Sequence, residues 1–546
     1  MSEATLRAVS RDAPPFRILV SDPLSDAGLE RLAEAGDAAV SAPDSGGRAM
    51  SRNALLEALP DHDALIVRSA TRVDDEALEA GRRLRVVGRA GVGLDNIDVE
   101  AATRQGVLVM NTPGANATAT AEHTWALLLA LCRRVPAADA SVKSGGWDRG
   151  RFTGVQLHGK TMGIVGLGRV GRLVAQRAQG FGMEVLAYDP YLSYDVAAEL
   201  RVELVDLDGI LAEADVVTLH VPLTEQTRGL LDAGRLAQMK SGALLVNCAR
   251  GGLVDETAVA AALDEGRLAG AAFDVFDREP PAGSPLLGRE DVVLTPHLGA
   301  STVEAQRDVS VQIVDQVLAA LRHEEYRNAV NLPFVAKGGL AEIRPWLDLA
   351  ERLGRLVVAL APGRLERVEI EARGPEVAPH AQPLSAALLV GLLTPISSGS
   401  VNFVNAAHRA AERGIDVVRS RRASAAEYAN LVGCRITADG DEHSAAGTLF
   451  HDRPRTVEID GYHLDAPPVG TALLVWNQDV PGVIGRVGTI LGSAGVNIAE
   501  WRLGRSAPGE TALAFVNLDD PAPPDVLDAL TAIDGVRAVR QLCFPG

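Results

Sequence analysis

The stretch GIVGLGRVG, residues 163–171, constrains this 546-residue chain more than any other. It joins an apolar run fit for a buried strand to a helical pattern through a turn holding three glycines. Each glycine has its own role: Gly166 makes the tight turn, Gly168 lets backbone approach a pyrophosphate, and Gly171 permits close packing of helix on strand. The helix that follows aims its free amino-terminal N–H groups at the phosphates. The next strand ends at Tyr188-Asp189, eighteen residues beyond Gly171. A carboxylate there accepts hydrogen bonds from both hydroxyls of the adenosine ribose and repels the extra phosphate of NADP, so NAD is the expected cofactor.

Such a turn belongs in a parallel α/β sheet, and the surrounding sequence offers two series of short apolar strands alternating with helices. The first holds FRILVSD from residue 16, a helix near 25–36, DALIVRS at 63–69 and LRVVGRA at 84–90. A long helix at 119–135 leads to the second: KTMGIVGLG at 160–168, MEVLAYD at 183–189, DVVTLHV at 215–221, GALLVNCA at 242–249, LAGAAFDVF at 268–276 and DVVLTPH at 291–297. Beyond it, Ser301 with Glu304 three residues on makes a capping box for a helix near 302–321. The first series is the smaller, and this late helix would complete it as a discontinuous domain.

Near NLPF, 331–334, the texture changes. Helical stretches are expected at 341–361 and 401–413, and strands at RVEIEARG (367–374) and RTVEIDGYHLD (455–465). The longest apolar run, LSAALLVGLLTPI at 384–396, is too short to cross a bilayer and ends in Thr-Pro. The last part reads βαββαβ: TALLVWN, a helix from Pro481-Gly482, NIAEWRLGR, TALAFVNLD, a helix near 524–533 and VRAVRQLCF. Val483, Ile484, Val487, Ile490 and Leu491 recur at helical spacing, so that helix lays one face on a sheet.

At about 150 residues per domain the length suggests three or four, and 47% hydrophobic residues suffice to fill their cores. A net charge of −18 disfavours nucleic acid and anionic membranes as partners. An anionic substrate then needs a local cationic pocket. Cys132, Cys248, Cys434 and Cys543 form neither a CxxC pair nor a disulfide framework, which fits a reducing compartment, the cytoplasm. The leading MSEATLRAVSRDAPP lacks an apolar targeting core and reads as a loose tail. No metal site is expected.

Oxidising an alcohol toward a nicotinamide requires a base for the hydroxyl proton and a cation for a neighbouring carboxylate. Arg250, Glu279 and His297 fall at or just after strand ends of the second series, where open parallel sheets place ligands. An arginine fork holds a carboxylate, and a glutamate orients an imidazole for proton transfer. Taken singly, each also suits a blander role: a surface ion pair, a solvated acid, a turn residue.

Together, RAGVGLDNID (89–98), NTPGAN (111–116), GLGRVG with Asp189, NCARGGLVDE (247–256), AAFDVFDREP (271–280) and TPHLGAST (295–302) resemble the D-isomer-specific 2-hydroxyacid dehydrogenases in order and spacing. The resemblance covers roughly 16–331 and implies Arg250, Glu279 and His297 as the catalytic trio. It also implies a cofactor site drawing on Val92, Gly166, Gly168, Arg169, Val170, Gly171, Asp189, Val221, Cys248, Ala249, Arg250, Asp274, His297, Gly299 and Ala300. VRSAT (67–71), VNFVNA (401–406) and NQDVPGVIGRVGTILGSAGVNIAEWRLGR (477–505) are most similar to the long-form D-3-phosphoglycerate dehydrogenase branch, with an intervening and an ACT domain.

That likeness implies NAD-linked oxidation of 3-phospho-D-glycerate to 3-phosphooxypyruvate, the first step of L-serine synthesis. Phosphate contacts would fall on Arg68 and Ser69, and the carboxylate on Arg250 and the backbone of Val92 and Gly93. Arg149 or Arg151 would add positive charge from a neighbouring stretch or subunit. Asn477, Asp479 and Asn497 would clasp L-serine as effector at a subunit interface; otherwise Asn477 and Asp479 cap a helix and Asn497 ends a turn. The implied domains are a substrate domain at 16–110 and 299–331, an NAD-binding domain at 111–298, an intervening domain at 332–466 and an ACT domain at 467–546. A homo-oligomer, with a tetramer expected, completes the picture. The competing readings are a glyoxylate or hydroxypyruvate reductase and an NAD(H)-sensing, corepressor-like binding protein.

Overall fold

The computed structural model describes residues 16–42, 48–334, 340–424 and 427–544. The leading segment 1–15, expected to be a loose tail, lies outside them. The first of four sheets has five parallel strands in the order Ala38–Ser41, Phe16–Val20, Ala64–Val67, Val86–Arg89, Leu108–Met110. Successive residues face opposite sides, as a pleated strand requires. Ile18, Val20, Ile66 and Met110 pack on Ile313, Val314 and Val317 of the helix Val303–Leu321. Leu19, Leu65, Val67 and Val109 pack on Leu55, Ala77 and Ala101 across the sheet. Gly88 lets the late helix close on the strands, since a Cβ there would lie 2.6 Å from Val317 Cγ2. A helix from far down the chain thus completes the core of the first sheet. Its cap is Thr302 rather than the expected Ser301: Thr302 Oγ1 accepts from Ala305 N at 3.1 Å, because Ser301 N is already turned back onto Leu298 O at 2.8 Å.

The second sheet has seven parallel strands, with Thr161–Val165 between Val216–Leu219 and Glu184–Tyr188. Strand order reverses beside Thr161–Val165, which places the crevice for a ligand at its carboxyl end. The third sheet is mixed and six-stranded, covered by the helices Leu340–Leu360 and Ala381–Leu393. These helices touch backbone to backbone, for a Cβ on Gly354 would lie 2.1 Å from Leu388 O and one on Gly391 1.8 Å from Glu351 O. Ala381–Leu393 is buried on every side, which is why its sequence shows no amphipathic period.

The helix expected over 401–413 starts only at Ala406. Asn402 and Asn405 divert the backbone before it: Asn402 Oδ1 accepts from Val404 N at 3.0 Å and Asn405 Oδ1 from Asn402 N at 2.9 Å. Asn402 Nδ2 also reaches Gly106 O at 2.7 Å, tying this region to the first sheet's domain.

The fourth sheet is antiparallel, in the order Ile498–Arg505, Thr511–Leu518, Thr471–Gln478, Val536–Cys543, and with its two helices it gives the expected βαββαβ. One face, including Leu473, Val475 and Val516, lies under the helices Val483–Ser493 and Pro524–Thr531. The other face, with Leu474, Phe515 and Leu542, enters the core that fills the third sheet.

Candidate active site

The glycine turn has the shape its sequence predicts. Gly166 has φ +95°, and a side chain there would strike His220 O and Val221 Cγ1, both 2.7 Å from its Cβ. A Cβ on Gly171 would lie 2.1 Å from Gly166 O, so helix and strand pack too closely for any side chain. Gly168 faces open space and caps the helix Arg169–Gly180 without a side-chain partner. Its amino-terminal N–H groups are left for an anion, so the turn fits a dinucleotide pyrophosphate. The Asp189 carboxylate accepts from Leu167 N at 2.9 Å and Tyr191 N at 3.0 Å, pinning the turn to the next strand while each oxygen keeps a lone pair. Arg169 runs across the NTPGAN loop, its Cδ and Nη1 3.0 Å from the position of a Cβ on Gly114. Val170 follows it in the same first turn.

Three further loops at the carboxyl ends of the second sheet bring the catalytic candidates together. After Ala243–Asn247, the buried Asn247 side chain donates to Arg250 O (2.9 Å) and accepts from Ala249 N (3.1 Å), shaping the turn that presents Arg250. Gly251 lies against the next loop: a Cβ would meet Phe276 O at 1.8 Å. That loop carries Glu279, whose Oε1 accepts from Phe276 N at 3.2 Å and whose Oε2 lies 2.8 Å from His297 Nδ1. His297 Nε2 has no protein partner among the described residues. The imidazole and carboxylate are 47% and 40% exposed, open to a substrate.

The first sheet's domain supplies the other wall of a cleft of about 640 Å³, lined by Arg68, Ser69, Val92, Gly93, Arg250, Glu279, His297 and Ala300. Asp22, 1% exposed, builds the Arg68 loop by accepting from Arg68 N at 2.5 Å and from Thr71 N and Oγ1 at 3.2 and 2.9 Å. Asn96 Nδ2 holds Arg68 O at 2.7 Å. The Arg68 guanidinium has only a 3.4 Å contact to Pro23 O and no carboxylate partner among the described residues. Arg250 reaches across the cleft, with Nε 3.2 Å from Asp95 Oδ2.

Arg89, which the sequence reading passed over as part of a strand, also lines this wall. Burial, and then the nearby Arg250 charge, push it down to about 10, and its Nε has no partner among the described residues. Arg89 thus sits among Arg250 and Arg68, with Asp95 and Asp22 also near, and its Nη1 donates to Gly93 O. RAG at 89–91, an arginine closing an apolar strand, was the available signal.

The remaining cofactor candidates surround the same crevice. Val221 packs against the Gly166 turn. Cys248 is buried, which pushes its thiol up to about 12. Asp274 accepts from Gly299 N at 2.8 Å. Arg149 and Arg151 are not in the cleft: Arg149 lies over the Trp147 ring and Arg151 pairs with Glu290 at 2.6 Å.

Within one chain the three effector candidates each hold a different local partner. Asn477 is buried in its strand and donates to Gln478 O at 2.8 Å. Asp479 Oδ2 accepts from Gly509 N at 3.2 Å and lies 3.4 Å from Arg505 Nε. Asn497 Nδ2 donates to Asp519 Oδ2 at 2.6 Å. Neither Asn477 nor Asp479 caps the following helix, which begins at Gly482 with φ +94° and no side-chain cap.

Family models agree with this layout. Residues 125–299 match the D-isomer specific 2-hydroxyacid dehydrogenase NAD-binding domain, 342–460 the D-3-phosphoglycerate dehydrogenase intervening domain and 471–535 the ACT domain. A D-3-phosphoglycerate dehydrogenase of Archaeoglobus fulgidus is 41% identical over 95% of this chain and 98% of its own. That of Mycobacterium tuberculosis is 43% identical over 94% and 97%. Among solved structures, the TT0316 protein of Thermus thermophilus is 38% identical with a TM-score of 0.53, covering 58% of this chain and 100% of its own. The chain therefore belongs to the D-isomer-specific 2-hydroxyacid dehydrogenases, in the D-3-phosphoglycerate dehydrogenase branch that carries intervening and ACT domains.

Proposed function

We propose that this NAD-dependent oxidoreductase oxidises 3-phospho-D-glycerate to 3-phosphooxypyruvate, opening L-serine synthesis. The observation that carries the reading is one cleft holding a carboxylate-paired histidine, Arg250 beside it, and on the facing wall Arg68, without an acidic partner among the described residues. Arg250 and the backbone at Val92 and Gly93 hold the substrate carboxylate and polarise carbon 2. His297 takes the carbon-2 hydroxyl proton at Nε2, and Glu279 on Nδ1 fixes the ring and supports the imidazolium that forms. Arg68 and Ser69, with Arg89 behind them, receive the phosphate. Bound NAD, held by the glycine turn and Asp189, supplies the hydride acceptor.

The domain division follows the sheets: 16–110 with 299–331 for substrate, 111–298 for NAD, 332–466 intervening and 467–546 for regulation. L-serine is the effector we assign to Asp479, Asn497 and Asn477. In this reading the site lies between copies of the chain, each copy supplying part of it, and each of the three side chains keeps a different local partner within its own chain. Self-association has a surface to use: the helix Val135–Lys143 buries none of its residues, and Trp147 beyond it is 75% exposed. The four cysteines are unpaired, in keeping with a cytoplasmic setting. No helix among the described residues is long and apolar enough to cross a membrane.

The deciding experiment is NADH consumption with 3-phosphooxypyruvate, glyoxylate and hydroxypyruvate side by side. A preference for 3-phosphooxypyruvate supports the assignment. A preference for glyoxylate or hydroxypyruvate would instead make this a reductase of that type, and no turnover with any of the three would favour a sensor.

A further inference from the structure

Behind the cleft lies a polar network with no part in the mechanism above. Asp274 is 1% exposed and follows the strand Leu268–Phe273. Its Oδ1 accepts from Thr295 Oγ1 at 2.6 Å and Leu298 N at 2.7 Å, and its Oδ2 from Gly299 N at 2.8 Å. These bonds clamp the turn 295–299 that carries His297. The turn needs a clamp, because His297 has φ +57°, a left-handed conformation that a ring side chain adopts only when its surroundings hold it. His297 N also donates to Asp274 O at 2.9 Å.

Among the described residues, the one side chain that hydrogen-bonds to this hub from outside the second sheet's loops is His123, on the helix Ala117–Cys132. Its Nε2 lies 3.1 Å from Asp274 Oδ1 and 3.0 Å from Thr295 Oγ1. The Thr295 proton is committed to the carboxylate, so both neighbours present lone pairs to His123. Nε2 must therefore carry the proton and donate, which settles the tautomer. The ring is 18% exposed, so this donor is not readily replaced by water.

We infer that His123 is a positioning residue for the dehydrogenase site. Through its Nε2–H it orients the Asp274 carboxylate and thereby fixes the 295–299 turn, which bears the acid/base His297 and the cofactor candidates alongside it. Removing the donor leaves a buried carboxylate short of one hydrogen bond and frees the turn to move. The inference rests on the assignment of Asp274 and His297 to that site.

The experiment compares full-length His123→Leu and His123→Gln, since a glutamine amide places an N–H where Nε2–H stood. NADH affinity is read by fluorescence titration without substrate, and deuterium uptake by the peptide spanning 294–302. His123→Leu is expected to weaken NADH binding about tenfold, the scale of one hydrogen bond to a charged group, and to speed uptake in that peptide. It should lower kcat with little change in the KM for 3-phosphooxypyruvate. His123→Gln should recover each value to within about threefold. Unchanged NADH affinity and uptake in the leucine variant, or a glutamine variant no better than leucine, overturns the inference. Should His123→Leu not fold, His123→Asn, polar but too short to reach Asp274, takes its place under the same criteria. Because NADH binding is read alone, an enzyme idle with 3-phosphooxypyruvate would count against the proposed substrate and leave the His123 result standing.

Discussion

The joint between the first and second sheets and the joint between the third and fourth are built from opposite materials. The first is a cleft lined by Arg68, Arg89, Arg250 and His297, with Arg250–Asp95 at 3.2 Å as an ion pair across it. The second is a shared apolar core in which Leu474 and Phe515, both 0% exposed, belong to one cluster with Leu353, Leu356 and Val357 of the helix Leu340–Leu360. Phe515 also stacks on Phe544 with ring centroids 6.2 Å apart. In the cleft, donors are left over and a ligand must complete them. In the seam the apolar groups already have their partners, so nothing is left for a ligand to contribute. A joint that binds a ligand keeps polar groups open to it, whereas this seam is held by apolar side chains packed on one another.

The sharpest break of this contrast is His297→Ala. Loss of a positioned acid/base costs about a hundred- to ten-thousandfold in turnover, while NADH binding and melting temperature should hold. A variant keeping more than half of the parental turnover would remove His297 from the chemistry.

Phe515→Ala should do the reverse. Truncating a buried phenylalanine costs about 3–5 kcal/mol, and the shared core makes the third and fourth sheets lose that stability together. Denaturant melts followed by NADH fluorescence should show the cofactor domain unfolding at its usual midpoint. If instead only the βαββαβ region melted early, the seam would not couple the two sheets.

Arg68→Ala sharpens the cleft side. A charge-assisted hydrogen bond to phosphate contributes on the order of 1.5–3 kcal/mol, so the KM for 3-phosphooxypyruvate should rise about ten- to a hundredfold. Hydroxypyruvate, which lacks the phosphate, should barely notice. Equal losses on both substrates would make Arg68 a structural residue.

A smaller, graded effect is expected from His220, half-buried beside the glycine turn, where burial pushes its imidazole down to about 4. The unfolded chain takes up that proton near pH 6.5 and the folded chain does not, so the unfolded state binds more protons between these values. Stability of the cofactor domain should therefore fall as pH drops from about 6.5 toward 4, by no more than ~1.4 kcal/mol per pH unit from this group. A melting temperature flat from about pH 7 to 5 would contradict it.

Much of this was legible in the sequence where local chemistry dictates the outcome. The glycine turn needs its three glycines at one spacing whatever surrounds it. The strands FRILV and TMGIV announce themselves because burial on both faces demands the apolar runs Ile18–Val20 and Met162–Val165 with which they end. Illegible parts were those whose form is set by distant neighbours. The helix Ala381–Leu393 lost its period to burial on all sides, and VNFVN became a turn because Asn402 and Asn405 found backbone partners. Arg89 read as strand because nothing local says that its guanidinium ends up buried beside Arg250.

The sequence by itself determined the parallel α/β organisation, the NAD-type turn with Asp189, and the candidacy of Arg250, Glu279 and His297, since periodicity and spacing within a few residues carry that information. Only the tertiary structure decided that Glu279 meets His297 at 2.8 Å, that no described carboxylate pairs with Arg68, and that His123 supports Asp274 from another element. It also decided that each effector candidate finds a different local partner within the chain. The physical reason is that hydrogen bonds and ion pairs act over about 3–4 Å, and only the packing of separate helices and sheets brings remote side chains within that reach.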